Sequence, residues 1–551
     1  MTRQSIRPTR RAVIRGGTGF ALGGLAGAGR RSGGRARQND ASRFDHVVVV
    51  MFENRSFDNL LGYLYEPGEK PGFEGVAGRG LANPIPADAP GADRKVVTVH
   101  PATNMDTPNP DPGEEYPHIN TQLFGTVAPA GNRFAAVERM TAPFNAPTPG
   151  AVPSMDGFVA DYVNQFRSSM GRMPDYDEYA QIMACYRPEQ MPVLSALAKG
   201  FAVFDHWFCE VPSQTFPNRS FFHAATSSGF VVNAPTSNFT DRNDAGTIFD
   251  RLETAGLPWR VYVDPGMRVS FTGLIHAPRL HRYFATRFAP LDDFFADAAA
   301  GTLPAYAFIE PNMLYAHDDM HPPVDAMTHG INVDLPSSLL AGEALLKRVY
   351  DAVRTSATAA GSNFANTLLL VVFDEHGGTY DHVAPPAAPP PDPAAPAGQM
   401  GFRFDRSGVR LPAVAISAWL DSGTLVGQTF RSTSLIRTLR ERWPLGGPLT
   451  GRDAVAPDIA PLLTRTTPRR PEEWPEVVAQ PSPPMEQATA PDAPLNEEGK
   501  AVLSAALAHE RKLTGHAPAV DIETVTAKEA VAILDQLQAA VFPTLAARPG
   551  G

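Results

Sequence analysis

Two apolar runs in this chain end in acid. The run "HVVVVMF" (46–52) stops at Glu53-Asn54, and "TLLLVVF" (367–373) stops at Asp374-Glu375. Each is short, rich in Val and Leu, and without polar alternation, as strands covered on both faces of a parallel sheet are. In α/β sheets, ligands sit at the carboxyl ends of the strands. The two runs therefore deliver three carboxylates and an amide oxygen to one sheet edge. Such charges repel, and none stays ionised easily away from water. A divalent cation resolves the conflict, because hard oxygen donors suit Mg²⁺, Ca²⁺, Mn²⁺ or Zn²⁺. Helix capping, or pairing with arginines such as Arg55, accounts for either pair alone. Both pairs together favour a metal.

These tips need a sheet to hold them. "RLPAVAIS" (410–417) is a third candidate strand, weakened by Pro412. Between the strands lie helical patterns. "SSLLAGEALLKRVYDAVR" carries Leu339, Leu340, Ala344, Leu346 and Val349. After Glu53-Asn54, Phe57, Leu60, Leu61 and Leu64 share one helical face, with Ser56 as N-cap. The fold expected is α/β, with helices on both faces of a mostly parallel sheet. Residues 72–153 form a long polar insert, and loops of that length usually serve a site. A proline-rich stretch follows His382. We divide the chain into a leader (1–41), a catalytic-size α/β domain (42–465), a Pro-rich linker (466–495) and a helical extension (496–551). The extension includes "TAKEAVAILDQLQAAVF", with Thr526 as N-cap.

The bulk numbers narrow the function. With 551 residues, 43% hydrophobic, the chain can bury a large core. A net charge of -10 argues against nucleic-acid binding, which relies on Lys and Arg at phosphates. Cys185 and Cys209 are too few for a disulfide scaffold; one bridge or two buried thiols remain open. Thr9, Arg10 and Arg11 precede a mildly apolar, Gly/Ala-rich stretch, the layout of a twin-arginine export signal. The expected location is periplasmic or extracellular, reached through the twin-arginine machinery with at most peripheral membrane contact.

The word pattern goes further. "HVVVVMFENRSFDNLLGYL" resembles the opening motif of the bacterial phosphoesterase family that holds phosphatidylcholine-type phospholipases C and a group of acid phosphatases. The likeness continues in order through "PHINTQLFG", "SMDGFVADY", "FAVFDHWFCEVPSQTFPNRSFFHAATSSG", "HDDMHPP", "LAGEALLKRVYDAVR", "FDEHGGTYDHVAPP" and "TSLIRTLRERW". It spans Phe44 to Pro444. It implies an alkaline-phosphatase-like three-layer sandwich with long inserted loops and a small helical C-terminal extension. It also implies a hydrolase acting on a phosphate-ester small molecule or a phospholipid head group.

By that resemblance, Glu53, Asn54, Asp374 and Glu375 are metal ligands, and Thr215 in "VPSQTFPNR" is the nucleophile and a further ligand. Ser213 is the alternative nucleophile, and Asn218 either meets a phosphate oxygen or caps the turn. His118, His321 and His382 match polar positions near the phosphoryl group, with Asp319 orienting His321. One of these histidines protonates the leaving group and another holds phosphate oxygens. His376 ranks below them, and His317 and His329 are structural. The implied reaction is a double displacement through a phosphothreonine. The chain departs from the family at Arg431–Ser434, "RSTS" where some members carry "DHTS", so Ser432 replaces a histidine. A sulfatase relative is disfavoured, since a Cys/Ser-x-Pro-x-Arg nucleophile motif is expected there. A non-catalytic exported binding protein that keeps the metal site is the reading from a different class.

Overall fold

The computed structural model describes residues 43–314, 317–323, 338–482, 495, 497–522 and 524–545. Arg10, Arg11, His329 and the later part of the segment expected as a linker lie outside them. Eight strands make the central sheet: β1 (His46–Phe52), β2 (Ala202–Phe204), β3 (Trp259–Val263), β4 (Phe288–Pro290), β5 (Tyr306–Glu310), β6 (Thr367–Phe373), β7 (Ala413–Ile416) and β8 (Thr424–Val426). Their spatial order is β8-β2-β7-β6-β1-β5-β3-β4. All neighbours run parallel except the two pairs that contain β7. Pro412 therefore stands immediately before an interior antiparallel strand, where its missing N–H removes no ladder bond.

β1 and β6 lie at the centre. From Val47 to Phe52 no side chain on β1 reaches solvent, and β6 is equally buried. Burying each such aliphatic side chain contributes roughly 1.5–3 kcal/mol. The register sets the site: His46 faces Thr367 and Phe52 faces Phe373, so both strands end at the same level.

The helices that matter here are α1 (Phe57–Leu61), α2 (Tyr116–Phe124), α3 (Phe158–Met170), α4 (Pro192–Gly200), α5 (Thr215–Ala224), α6 (Phe271–Ile275), α7 (Leu291–Ala300), α8 (Ser338–Thr355), α9 (Ser434–Arg442), α10 (Glu497–Thr514) and α11 (Ala527–Val541). One group (α4, α7, α8) packs together, and a second (α5, α6, α9) gathers around α5. The result is an α/β fold in three layers. Ser56 caps α1 by accepting the Asn59 N–H at 3.1 Å.

The long insert is not a bare loop. Ile119 and Leu123 on α2 meet Phe158 and Tyr162 on α3 in a second apolar core, joined by Tyr380. The expected linker, over its described residues, lies against the domain: Trp474 is buried beside Phe201, ring centroids 5.0 Å apart. The extension contains α10 and α11; Thr526 and Glu529 form a capping box on α11. Phe542 stacks on Phe284 at 4.0 Å. Cys185 and Cys209 are both free, buried thiols.

Candidate active site

Because β1 and β6 end level, Glu53 and Asp374 leave the sheet side by side. Asn54 follows with a positive φ of 57°, a region Asn tolerates better than most residues. Its backbone N–H donates to Asp374 Oδ1 at 3.3 Å. Gly377, at φ 58°, presses on it: a Cβ there would sit 2.3 Å from the Asn54 carbonyl oxygen. The Asp374 Oδ1 also accepts the Glu375 N–H at 2.7 Å, and Gly377 N–H donates to Glu375 Oε2 at 2.8 Å.

A third element closes the edge. Arg219 on α5 donates from Nη2 to Glu53 Oε1 at 2.6 Å and from Nε to Asp374 Oδ2 at 3.2 Å. Thr215 is four residues earlier, one turn up on the same helix face. It is fully buried, and its Oγ1 makes no hydrogen bond. Asn218 fixes the preceding loop: its Oδ1 accepts the Glu210 and Val211 N–H groups, and its Nδ2 donates to Val211, Ser213 and Gln214 carbonyls. Its bonds are those of a turn cap. The Ser213 hydroxyl is also buried without a hydrogen bond.

The electrostatics are strained. Burial raises Asp374, with Arg219 opposing, and pushes Glu375 well above the usual carboxylate range, with Asp374 and Asp111 adding repulsion. The Arg219 guanidinium pairs with Glu53 and Asp374. Arg55, by contrast, turns away and donates to the Met320 and Thr107 carbonyls and to Asn59.

The histidines separate. His321 sits at the site: its Nε2 is 2.8 Å from Asn54 Nδ2. Burial lowers it to about 4, with the Asp319 charge opposing, so the ring is neutral near pH 7. Asp319 accepts the His321 backbone N–H at 3.0 Å and meets His317 Nδ1 at 3.1 Å, so it orients His321 through the main chain. His118 is held by Asp161, Nδ1 to Oδ1 2.9 Å, with Gln122 Nε2 on the other oxygen at 2.9 Å. Burial would depress His118, but the Asp161 carboxylate outweighs it and holds the imidazolium up to about 9. Burial also draws Asp161 toward its neutral form. With both its oxygens bonded, the ion pair is the form we stand behind. His382 belongs to another cluster: its Nδ1 lies 2.5 Å from Asp58 Oδ2, beside Asp381 and Arg410. His376 meets Gln122 Oε1 at 2.9 Å.

Glu114 is the residue the motif reading passed over. Its Oε2 accepts from Asn54 Nδ2, and its Oε1 accepts from Gln214 Nε2 at 3.2 Å. His118, four residues on, packs its ring under Gly113, where a Cβ would be 2.3 Å from Cγ. Arg219 was also missed, yet Thr215-Phe216-Pro217-Asn218-Arg219 has the x-Pro-x-Arg spacing sought above, with Thr in the nucleophile place.

A model of the Phosphoesterase family matches residues 44–446. The chain belongs to that family. The phosphoesterase is an enzyme that hydrolyses phosphoric ester bonds. It is 32% identical over 487 residues to non-specific phospholipase C6 of Arabidopsis thaliana, covering 84% of this chain and 80% of that protein. It is 26% identical over 482 residues to the non-hemolytic phospholipase C of Pseudomonas aeruginosa, covering 80% and 60%. Among solved structures, a Vibrio parahaemolyticus protein of the alkaline phosphatase superfamily aligns at 12% identity and TM-score 0.28, covering 52% and 66%.

The phosphoesterase has donors that fit a divalent cation. Thr215 Oγ1 and Asn54 Oδ1 are buried oxygens without hydrogen bonds beside the Glu53, Asp374 and Glu375 carboxylates. Oxygen donors left unsatisfied where carboxylates crowd are what a hard cation requires.

Proposed function

We propose that the enzyme is an exported, metal-dependent phosphoesterase of phospholipase C type that works through a covalent phosphothreonine-type intermediate. One observation carries the reading: the Thr215 hydroxyl is buried, unbonded and one helical turn from the arginine that holds Glu53 and Asp374. Glu53, Asn54, Asp374, Glu375 and Thr215 would hold the ion. When bound, it would acidify the hydroxyl and offset charge on the phosphoryl group.

The chain's own groups do the rest. Thr215 Oγ gives its proton to water and forms a bond to phosphorus, and the P–O bond to the leaving group breaks, its oxygen taking a proton from water to depart as the alcohol. α5 sets the hydroxyl at its first residue, and Asn233 Oδ1 fixes the next turn by accepting the Phe216 N–H at 2.9 Å. Arg219 keeps Glu53 and Asp374 in place. Water then cleaves the Oγ–P bond and regenerates Thr215. With a phosphodiester lipid the alcohol is diacylglycerol, and the head-group phosphate leaves second. The phospholipase C names of the relatives favour a phospholipid over a monoester. Among the described residues no helix is long and apolar enough to cross a membrane. The leader 1–41 supports export through the twin-arginine route.

The test is hydrolysis of p-nitrophenylphosphorylcholine and p-nitrophenyl phosphate, with and without chelator, beside Thr215→Ala. The expected result is turnover of the choline ester, lost on chelation and in the variant, whose metal content is unchanged or slightly reduced. No turnover with any metal would favour the binding-protein reading, and undiminished turnover by Thr215→Ala would remove the nucleophile.

A further inference from the structure

The segment Arg431–Ser434, where the chain departs from its family, leaves buried donors unused. Phe430–Arg431 pairs in parallel with Trp207–Phe208 and runs directly into α9. The Arg431 N–H donates to Ser434 Oγ at 3.2 Å, which ties the segment to the first turn of that helix. The Arg431 side chain is only 8% exposed. Its Nε and Nη1 are buried without a hydrogen bond. Thr433 precedes the helix and is fully buried, and its Oγ1 neither caps α9 nor makes any other hydrogen bond.

A single buried carboxylate is at hand, and it is taken. Glu210 Oε2 accepts from Arg452 Nη1 at 2.6 Å, and Glu210 Oε1 accepts the Thr433 N–H at 2.8 Å. Arg452 directs its remaining donors to the Glu210, Pro389 and Phe404 carbonyls. Asp453 is paired with Arg440 at 2.9 Å, and Asp405 is exposed. Burial lowers Arg452, the Glu210 carboxylate opposes, and the Arg431 charge lowers it further, as a neighbouring cation does. Two buried guanidinium groups therefore share one carboxylate, and Arg431 forms no ion pair among the described residues. A buried charge left without a counter-charge is strongly destabilising.

We propose that a small monovalent inorganic anion of the halide class binds beside the start of α9, held by the Arg431 guanidinium and the Thr433 hydroxyl. Charge selects the class. Arg431, Arg452 and Glu210 sum to one positive charge, which a single monoanion cancels and a phosphate dianion would overshoot. The site shares no residue with the Glu53, Asp374 and Thr215 group, and it does not depend on a metal there. One link joins the two. Asn218 on α5 accepts the Glu210 N–H at 3.0 Å, so the ion would steady the loop that leads to Thr215.

The experiment places full-length protein in sodium gluconate, a bulky anion, and replaces it stepwise with sodium chloride at constant ionic strength. The thermal midpoint should rise saturably, and the chloride magnetic resonance line should broaden in proportion to protein. Arg431→Gln should abolish both responses. In gluconate it should melt at or above wild type, because the unpaired charge is gone. Thr433→Val should keep the response with chloride bound at least about tenfold more weakly. A wild-type midpoint indifferent to chloride, or a full response in Arg431→Gln, would overturn the site. A large drop in the midpoint of Arg431→Gln in gluconate would show the guanidinium already satisfied and would overturn it too. A saturable rise with phosphate and none with chloride would overturn the monovalent class.

Discussion

The segment after β1 feeds two buried ionic clusters, and they are built differently. Around Arg410 every bond closes. Its Nε donates to both Asp381 oxygens at 3.2 Å, its Nη2 to Asp58 Oδ1 at 2.7 Å, and its Nη1 to the Glu74 and Asp205 carbonyls. His382 adds a further partner to Asp58. Around Arg219, which likewise pairs with two carboxylates, buried oxygens on Thr215 and Asn54 stay unbonded. The first cluster is saturated and reads as a brace between α1, the loop at 379–383 and the start of β7. The second is left open, and open buried donors are what a catalytic centre keeps for ligand and substrate.

The contrast can be broken by mutation. The largest effect falls on the brace. Arg410→Ala strands two buried carboxylates and should cost about 3–5 kcal/mol of stability, measured by denaturant unfolding. Its activity loss should follow the unfolded fraction alone. At the open cluster the order reverses. Asp374→Asn should lower turnover at least about a hundredfold while the thermal midpoint holds or rises, since burial opposes that charge. Equal stability losses in the two variants would erase the distinction.

A smaller effect sharpens it at His118. Its folded value is raised to about 9 from an ordinary 6.5, so the ion pair's contribution is complete below pH 6.5 and fades as pH rises through 9. His118→Gln should cost on the order of 2–3 kcal/mol at pH 6 and little above pH 9, read from unfolding curves across that range. A pH-independent deficit would show that the imidazolium is not what Asp161 holds.

The strand tips were legible because they depend on two features of sequence: an unbroken apolar run and the residue that ends it. Register alone then brings Glu53 to Asp374. The fold class followed from the same runs. Arg219 was hidden because its role needs the helix start at Thr215, which sets the four-residue spacing. Glu114 was hidden because attention to histidine led to His118, whereas α2 begins after Glu115 and carries His118 away to Asp161. The insert read as a loop because the apolar spacing of Ile119 and Leu123 has meaning only against Phe158 and Tyr162 on α3. His382 shared a motif with Asp374, yet its bonds run to Asp58.

Thr215 as the attacking group is the central claim. Holoenzyme turning over p-nitrophenylphosphorylcholine, quenched within milliseconds and mapped by peptide mass spectrometry, should carry phosphocholine on Thr215 in proportion to the burst of nitrophenol. Phosphocholine on another residue, or a full burst with Thr215 unmodified, would contradict it.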